Sequence, residues 1–405
     1  MIKILMFFNA VILFFNSVFG LSMPLHAFTV DADKLAENVR ISNEARIEEG
    51  TITGAHSIVM QNGVVLLDKT YGLKGVGGEA LSENAVYRIA SMTKPITAVA
   101  LLIEQDRGHL NINDDLSKYL PEFAEMTVGK EKEDGTYEKT DTKATNSIKL
   151  YQLVSHTSGI GDVDLSAAGG ESCTVTSACA YLAAQPLHYN PGTSQQYSTG
   201  AFDVAARVIE LTSGMEFSEY IKVNIFDKLG MTDTTFEPNE DQWSRMVEIH
   251  GMENGKAINV PGAPNCVFGN FPVTFHAAGA ALASTAYDYA KFAQMLLNNG
   301  VGDNGARVLS EEAVKQMRTP VKGAPLMGGT FKWGLGVRVI VTTSDTLPKG
   351  SFGWSGAYGS HFWIDPTNSI SAVYMKNSSY DGGAGNSSAS EFEKDVVNSF
   401  IWRKS

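Results

Sequence analysis

Ser91-Met92-Thr93-Lys94 sets a hydroxyl and an amine three residues apart. The tetrapeptide lies at the seam between a strand-like run, Ala85–Ala90, and a helix-like run, Pro95–Asp106. A serine hydroxyl is a poor nucleophile unless a base takes its proton as it attacks. Residues i and i+3 share a helix face, so the Lys94 amine can reach Ser91. A helix N-terminus also supplies free N–H groups and positive potential where an oxyanion would form. Lysine serves as a base near neutral pH only if burial or a nearby cation lowers its pKa well below about 10.4. The apolar neighbours Ile89, Ala90, Ile96 and Val99 offer such burial.

Acyl chemistry at Ser91 needs a further proton shuttle and an oxyanion hole. Pro191-Gly192-Thr193-Ser194-Gln195-Gln196-Tyr197-Ser198-Thr199-Gly200 presents Tyr197 in a turn ahead of a helix expected over Ala201–Thr212. Its phenol is a candidate to exchange a proton with Ser91 and the leaving group. Near the C-terminus, Gly353-Trp354-Ser355-Gly356-Ala357-Tyr358-Gly359 precedes a strand. Small residues there let backbone approach a ligand closely, and an N–H in this run would complete the oxyanion hole.

The elements that must carry these groups are legible in outline. Residues 33–49 read as a helix, and 55–60 and 64–71 as strands joined through Asn62-Gly63, a strong hairpin signal. From about Gly108 to Ala290 helical pattern and loops dominate, with an exposed polar loop over Gly129–Thr145. Strands return at Trp333–Val341, His361–Ile364 and Ile370–Lys376, with a turn at Asp365-Pro366-Thr367-Asn368. A last helix is expected over Ala389–Trp402, with Phe392, Val396 and Phe400 on one face and a capping box at Ser388-Ala389-Ser390-Glu391. This pattern predicts an α+β fold: one antiparallel sheet built from both chain ends, flanked by helices, with a mostly helical region inserted. The expected division is 28–108 and 290–405 for the sheet region and 109–289 for the helical one.

The 405 residues are 43% hydrophobic and 19% charged, enough for one large domain or two intimately packed ones. A formal charge of −12 argues against nucleic acid or an anionic membrane surface as partner. Residues 1–27 read as a secretory signal peptide: Lys3 precedes an apolar run from Ile4 to Phe19, broken by Asn9 and Asn16, and then by cleavage-type sequences. The expectation is an exported protein, periplasmic or secreted, with no membrane association after cleavage. Cys173, Cys179 and Cys266 read as buried or loop-clip residues, the first two close enough for a small disulfide loop. The eight histidines are scattered, without His-Glu-x-x-His or a Cys–His cluster, so neither metal nor cofactor is expected.

Together these elements resemble the serine β-lactamase and penicillin-binding-protein-like hydrolases, and most of all the branch holding class C β-lactamases and family VIII carboxylesterases. The resemblance covers roughly 33–402 and adds Gly108-x-Leu110-x-Ile112-x-Asp114, Tyr119-Leu120-Pro121, Leu153-Val154-Ser155-His156-Thr157-Ser158-Gly159, and Ala283-Ser284-Thr285-Ala286 with Asp288 and Phe292. It implies a β-lactamase/transpeptidase-like fold and an acyl-enzyme on Ser91, with Lys94 and Tyr197 sharing the proton work. The oxyanion would be held by the N–H groups of Ser91 and Ala357, and Trp354, Ser355 and Gly356 would bind substrate. Two departures bear on substrate. Penicillin-recognising relatives carry Tyr-x-Asn where this chain has Thr199, and Lys-Thr-Gly or His-Thr-Gly where it has Trp354-Ser355-Gly356. Tryptophan offers apolar area and one N–H donor but no cation, so the expected substrate is a small neutral acyl ester. β-Lactam or D-alanyl-D-alanine peptide cleavage is the alternative, and a non-catalytic peptidoglycan-fragment sensor is the reading from another class. An α/β-hydrolase elbow at Gly353–Ala357 is disfavoured, because only His361 follows Ser355 and no acid lies between them.

The N-terminal reading is checked by sequencing the protein purified from its host. It should begin near Phe28 or Leu21, and an intact Met1 in a membrane fraction would overturn it.

Overall fold

Asn62 and Gly63 both adopt left-handed backbone, with φ of +55° and +74°. That closes the tight hairpin their sequence predicts and fixes the register of the central sheet. The computed structural model describes residues 28–164, 166–260, 275–344, 346–383 and 387–402; the expected signal peptide and Cys266 lie outside them.

The chain enters through a short strand, β1 (Phe28–Val30), and a helix, α1 (Ala32–Glu48). The Asp31 side chain caps α1, accepting from the N–H groups of Asp33 and Lys34. The hairpin strands β2 (Gly54–Gln61) and β3 (Val64–Gly72) follow, then β4 (Val86–Arg88), a 3₁₀ turn (Ala90–Met92) and the helix α2 (Thr93–Asp106). Further on come α3 (Gly200–Ser213), β5 (Ala283–Thr285) and α4 (Ala286–Leu297). The C-terminal third supplies β6 (Phe331–Trp333), β7 (Arg338–Ile340), β8 (Phe352–Ser355), β9 (His361–Asp365) and β10 (Ile370–Met375). It ends in α5 (Ser387–Asn398) and β11 (Phe400–Trp402).

Seven strands form one antiparallel sheet in the order β6-β7-β8-β9-β10-β2-β3, so both chain ends build it. Its two faces are told apart by the alternation of side chains along β10. Ser371 hydrogen-bonds Gln294 of α4 at 3.0 Å. Tyr374 donates to Asn43 of α1 at 3.0 Å and stacks on Phe392 of α5. One face therefore meets the terminal helices, and the other meets α4 and the body of the protein. The cross-strand register carries this assignment outward. Trp354, Phe362 and Val373 share the α4 face, while Ser355, His361 and Tyr374 share the terminal-helix face.

Several expected boundaries move. The last helix ends at Asn398, and residues 400–402 pair with β1 instead, with Phe400 stacked on Phe28. The helix starts at Ser387, where the Asp381 carboxylate accepts from the N–H groups of Ser387 and Ser388. The run Trp333–Val341 divides into β6 and β7, because Gly336 turns the chain at φ +72°. The middle of the chain also holds two small ribbons, Lys130–Glu131 with Tyr137–Glu138 and Ile249–Glu253 with Lys256–Val260. Cys173 and Cys179 are both buried and both free, so no disulfide loop joins them.

Behind the sheet, the buried His361 donates from Nε2 to Glu393 of α5 at 2.9 Å, and Arg338 of β7 pairs with the same carboxylate. Burial alone would raise the Glu393 carboxyl, but the Arg338 charge and the His361 hydrogen bond hold it down at about 2. A carboxylate whose pKa is lowered by folding stabilises the fold above its ordinary range and loses that contribution as pH falls through the folded value. Thermal stability should therefore weaken as pH drops from 4.5 toward 2. Glu393→Ala, which strands Arg338, should cost about 3–5 kcal/mol at neutral pH. A variant with wild-type melting in both conditions would contradict this.

Candidate active site

Ile89 ends the strand run, and Ala90 then takes the left-handed region at φ +44°. Such a conformation costs a non-glycine residue about 1–3 kcal/mol, and it turns the chain abruptly from β4 into α2. Ser91 stands half-buried in that turn, two residues before the first residue of α2. The turn is held from three sides: Ile89 N–H donates to Leu282 O, Leu282 N–H to Thr93 Oγ1, and Tyr289 O–H to Met92 O.

Lys94 is fully buried. Its Nζ has three oxygen neighbours, Ser91 Oγ at 3.3 Å, Thr199 Oγ1 at 3.2 Å and Gly279 O at 2.7 Å. The rings of Tyr197 and Phe202 stand 4.7 and 5.4 Å from it. The amine is thus shared by α2, the start of α3 and the segment that leads into β5, with aromatic faces supplying a further favourable field.

Tyr197 is 40% exposed, which leaves its phenol accessible to a ligand. Its oxygen accepts a hydrogen bond from Trp354 Nε1 at 3.1 Å, and its ring lies 4.4 Å from the His156 ring. His156 is buried in left-handed backbone at φ +61°. Its Nδ1 accepts from Ser198 N–H at 3.1 Å, and its carbonyl accepts from Gln196 N–H. Burial, reinforced by the charge of Lys94, pushes the imidazole pKa far below its ordinary value, so the ring is neutral. The turn at His156 thus grips the residues on both sides of Tyr197.

Trp354 packs edge-on against Trp333 at 4.4 Å, and Trp333 meets the His156 ring at 4.3 Å. At the end of β8, a Cβ on Gly356 would lie 2.3 Å from Ile89 O and 2.3 Å from Ser360 Oγ. Only glycine lets this strand end pack onto the turn that leads to Ser91. Ala357 follows at the exposed tip, and its N–H makes no hydrogen bond to protein among the described residues.

The structure thus brings Ser91, Lys94, Tyr197 and Trp354 into one contiguous set and lays Gly356 against the chain leading to Ser91. Ser355 is a correction. It faces the opposite side of the sheet from Trp354, and its hydroxyl bonds His361 Nδ1 at 2.8 Å. With Nε2–H given to Glu393, Nδ1 is left as an acceptor, so Ser355 donates into that buried chain. Its side chain is not available to substrate; the alternation along a strand sends neighbours to opposite faces. Thr199, Gly279, His156 and Trp333 are site residues that sequence reasoning missed. Thr199 carried a signal, as the third residue of the triplet that begins at Tyr197, and His156 lay within a quoted motif.

The chain is similar to known proteins over most of its length. The family described as Beta-lactamase matches residues 41–390. Protein Rv1367c of Mycobacterium tuberculosis is 30% identical over 367 residues, covering 82% of this chain and 88% of its own. Esterase EstB of Burkholderia gladioli is 25% identical over 397 residues, covering 90% and 96%. Among solved structures, EstCE1, described as a hydrolase with promiscuous acyltransferase activity, superposes with a TM-score of 0.76 at 20% identity, covering 90% of this chain and 99% of its own. The chain belongs to the Beta-lactamase family and is a serine hydrolase of the β-lactamase/penicillin-binding-protein fold.

Proposed function

We propose that the protein hydrolyses short-chain, neutral carboxylic esters through an acyl-enzyme on Ser91. The observation that carries this reading is the Trp354 Nε1–Tyr197 hydroxyl hydrogen bond. It fills with a neutral indole the place where penicillin-recognising relatives hold a cation for the substrate carboxylate. The similarity to an esterase over nearly the full length of both chains supports the same reading.

In the proposed reaction Ser91 Oγ attacks the ester carbonyl carbon and gives its proton to the Lys94–Tyr197 pair. The carbonyl oxygen becomes an oxyanion facing the N–H groups of Ser91 and Ala357. Collapse breaks the bond to the alcohol, which leaves with a proton from Tyr197. Water then attacks the acyl-enzyme, its proton passes to the same pair, and the acid departs as Ser91 Oγ recovers its hydrogen. The three side chains act as a unit, so their losses should not add. Ser91→Ala should reduce esterase turnover to below about 1% of wild type, measured with p-nitrophenyl butyrate. Retention of more than a few per cent would sink the assignment.

Substrate class is tested by kcat/KM measured side by side for p-nitrophenyl butyrate, a cephalosporin and a D-Ala-D-Ala peptide. A hydrogen bond to a charged group contributes about 1.5–3 kcal/mol. Its loss at Trp354 should leave the ester ahead by at least about tenfold. Amides carry a further handicap because their leaving amine must be protonated. A cephalosporin turned over faster than the ester would make β-lactam hydrolysis the better reading.

A further inference from the structure

We propose that Asp203 is the positioning residue that sets the charge on Lys94: its carboxylate, buried in the first turn of α3, is the counter-ion of the buried ammonium and governs the pH at which the Ser91–Lys94 pair becomes reactive. This inference rests on the proposed role of that pair.

Thr199, the residue just before α3, and Asp203 in its first turn are four residues apart and lie on one side of the helix. Thr199 Oγ1 lies 3.2 Å from Lys94 Nζ, so Asp203 stands one turn further along the side that meets α2. The two charged residues also grip one stretch of backbone. Asp203 Oδ1 accepts from Ala278 N–H at 2.7 Å, and Lys94 Nζ donates to the carbonyl of the next residue, Gly279, at 2.7 Å. Thr97 of α2 closes the arrangement by donating to Ala278 O at 2.6 Å.

Every hydrogen-bond partner of Lys94 is neutral. A fully buried cation among neutral acceptors needs a compensating charge nearby. Asp203 is itself only 2% exposed, and the Lys94 charge acts to lower its pKa. Burial pushes its pKa up to about 7, against the opposing pull of Ala278 N–H and the Lys94 charge. The carboxyl therefore changes charge within the range where a hydrolase works.

The other groups around it do not supply the missing charge. Asp162, in the loop that caps α3, is another carboxylate and raises Asp203 further. The thiols of Cys173 and Cys179 also feel Asp203, and both are held above their ordinary pKa, mainly by burial. His156, beside Lys94, is neutral. Of these groups Lys94 alone is a cation, so it alone is stabilised when Asp203 ionises.

The sign follows. An ionised Asp203 strengthens the hold of Lys94 on its proton; an uncharged residue in its place does not. Asp203→Asn keeps an acceptor for Ala278 N–H and removes the charge, so Lys94 should release its proton at lower pH. The test is the second-order rate at which a fluorophosphonate labels Ser91 in the full-length protein, followed between about pH 5 and 9. The acid limb of Asp203→Asn should move toward acid by at least about half a pH unit. Asp203→Ser, which leaves an uncharged hydroxyl in less volume, should move the same way and serves if the asparagine variant does not fold. Asp203→Glu, which restores the charge, should return the limb toward wild type.

A limb that stays in place in both uncharged variants, or moves toward alkali, would overturn the inference while leaving the reading of Ser91 intact. Wild-type protein in which Ser91 is labelled at no pH, and which turns over no ester, would overturn both.

Discussion

Everything in the site depends on keeping one amine out of water. Lys94 has no exposure, and its three oxygen neighbours come from α2, the start of α3 and the segment before β5. No single element could satisfy it. A lysine so placed requires its acceptors to be in position before any substrate arrives, since an unpaired buried ammonium costs several kcal/mol. The surrounding contacts follow from that demand. Asp162 caps α3, accepting from the N–H groups of Thr199 and Gly200 and fixing Thr199. Asp203 and Thr97 fix the turn that presents Gly279. The left-handed Ala90 swings Ser91 onto the same amine.

The parts of this arrangement that lie close together in sequence were legible before any coordinates. Ser91 and Lys94 share a helix face by spacing alone, and Asn62-Gly63 announced its hairpin. The two-ended construction of the sheet also followed, because strand periodicity is a local signal. What was not legible is whatever depends on which face of a strand or helix meets which neighbour. Ser355 looked like a site residue beside Trp354, yet the period of two sends it to the far side of the sheet, into the hydrogen-bonded chain through His361 to Glu393. That chain explains why a serine, a histidine and an acid can be linked in this region without forming a catalytic elbow. The acid follows the histidine in sequence, and all three are buried on the side of the sheet opposite Trp354.

Trp333, His156 and Asp203 were missed for the opposite reason. Each looks unremarkable in its own segment and gains its role from a long-range contact. Trp333 matters because it backs both Trp354 and His156. His156 matters because its turn holds Ser198 and Gln196 on either side of Tyr197. The final helix shows the same limit. Phe400 fits the helical periodicity of Phe392 and Val396, but the pairing of residues 400–402 with β1 wins, because it also buries Phe400 against Phe28.

The indole at position 354 does part of what an ammonium there would do, and the difference bears on the proton path. Both groups can donate to the Tyr197 oxygen, and Trp354 does so at 3.1 Å. An oxygen that accepts from Trp354 must direct its own hydrogen elsewhere, which leaves that proton free for a leaving group. A neutral donor stabilises a phenolate less than a charged one does, because charge-assisted hydrogen bonds are roughly twice as strong. In the proposed reaction, then, negative charge at Tyr197 depends chiefly on the ammonium of Lys94, 4.7 Å from its ring. Lys94 must yield a proton to activate Ser91 and carry one to support Tyr197, and it cannot do both at once. Passing a single proton around Ser91, Lys94 and Tyr197 resolves that conflict. It also makes the charge state of the buried surroundings, rather than any one contact to substrate, the natural control on the reaction.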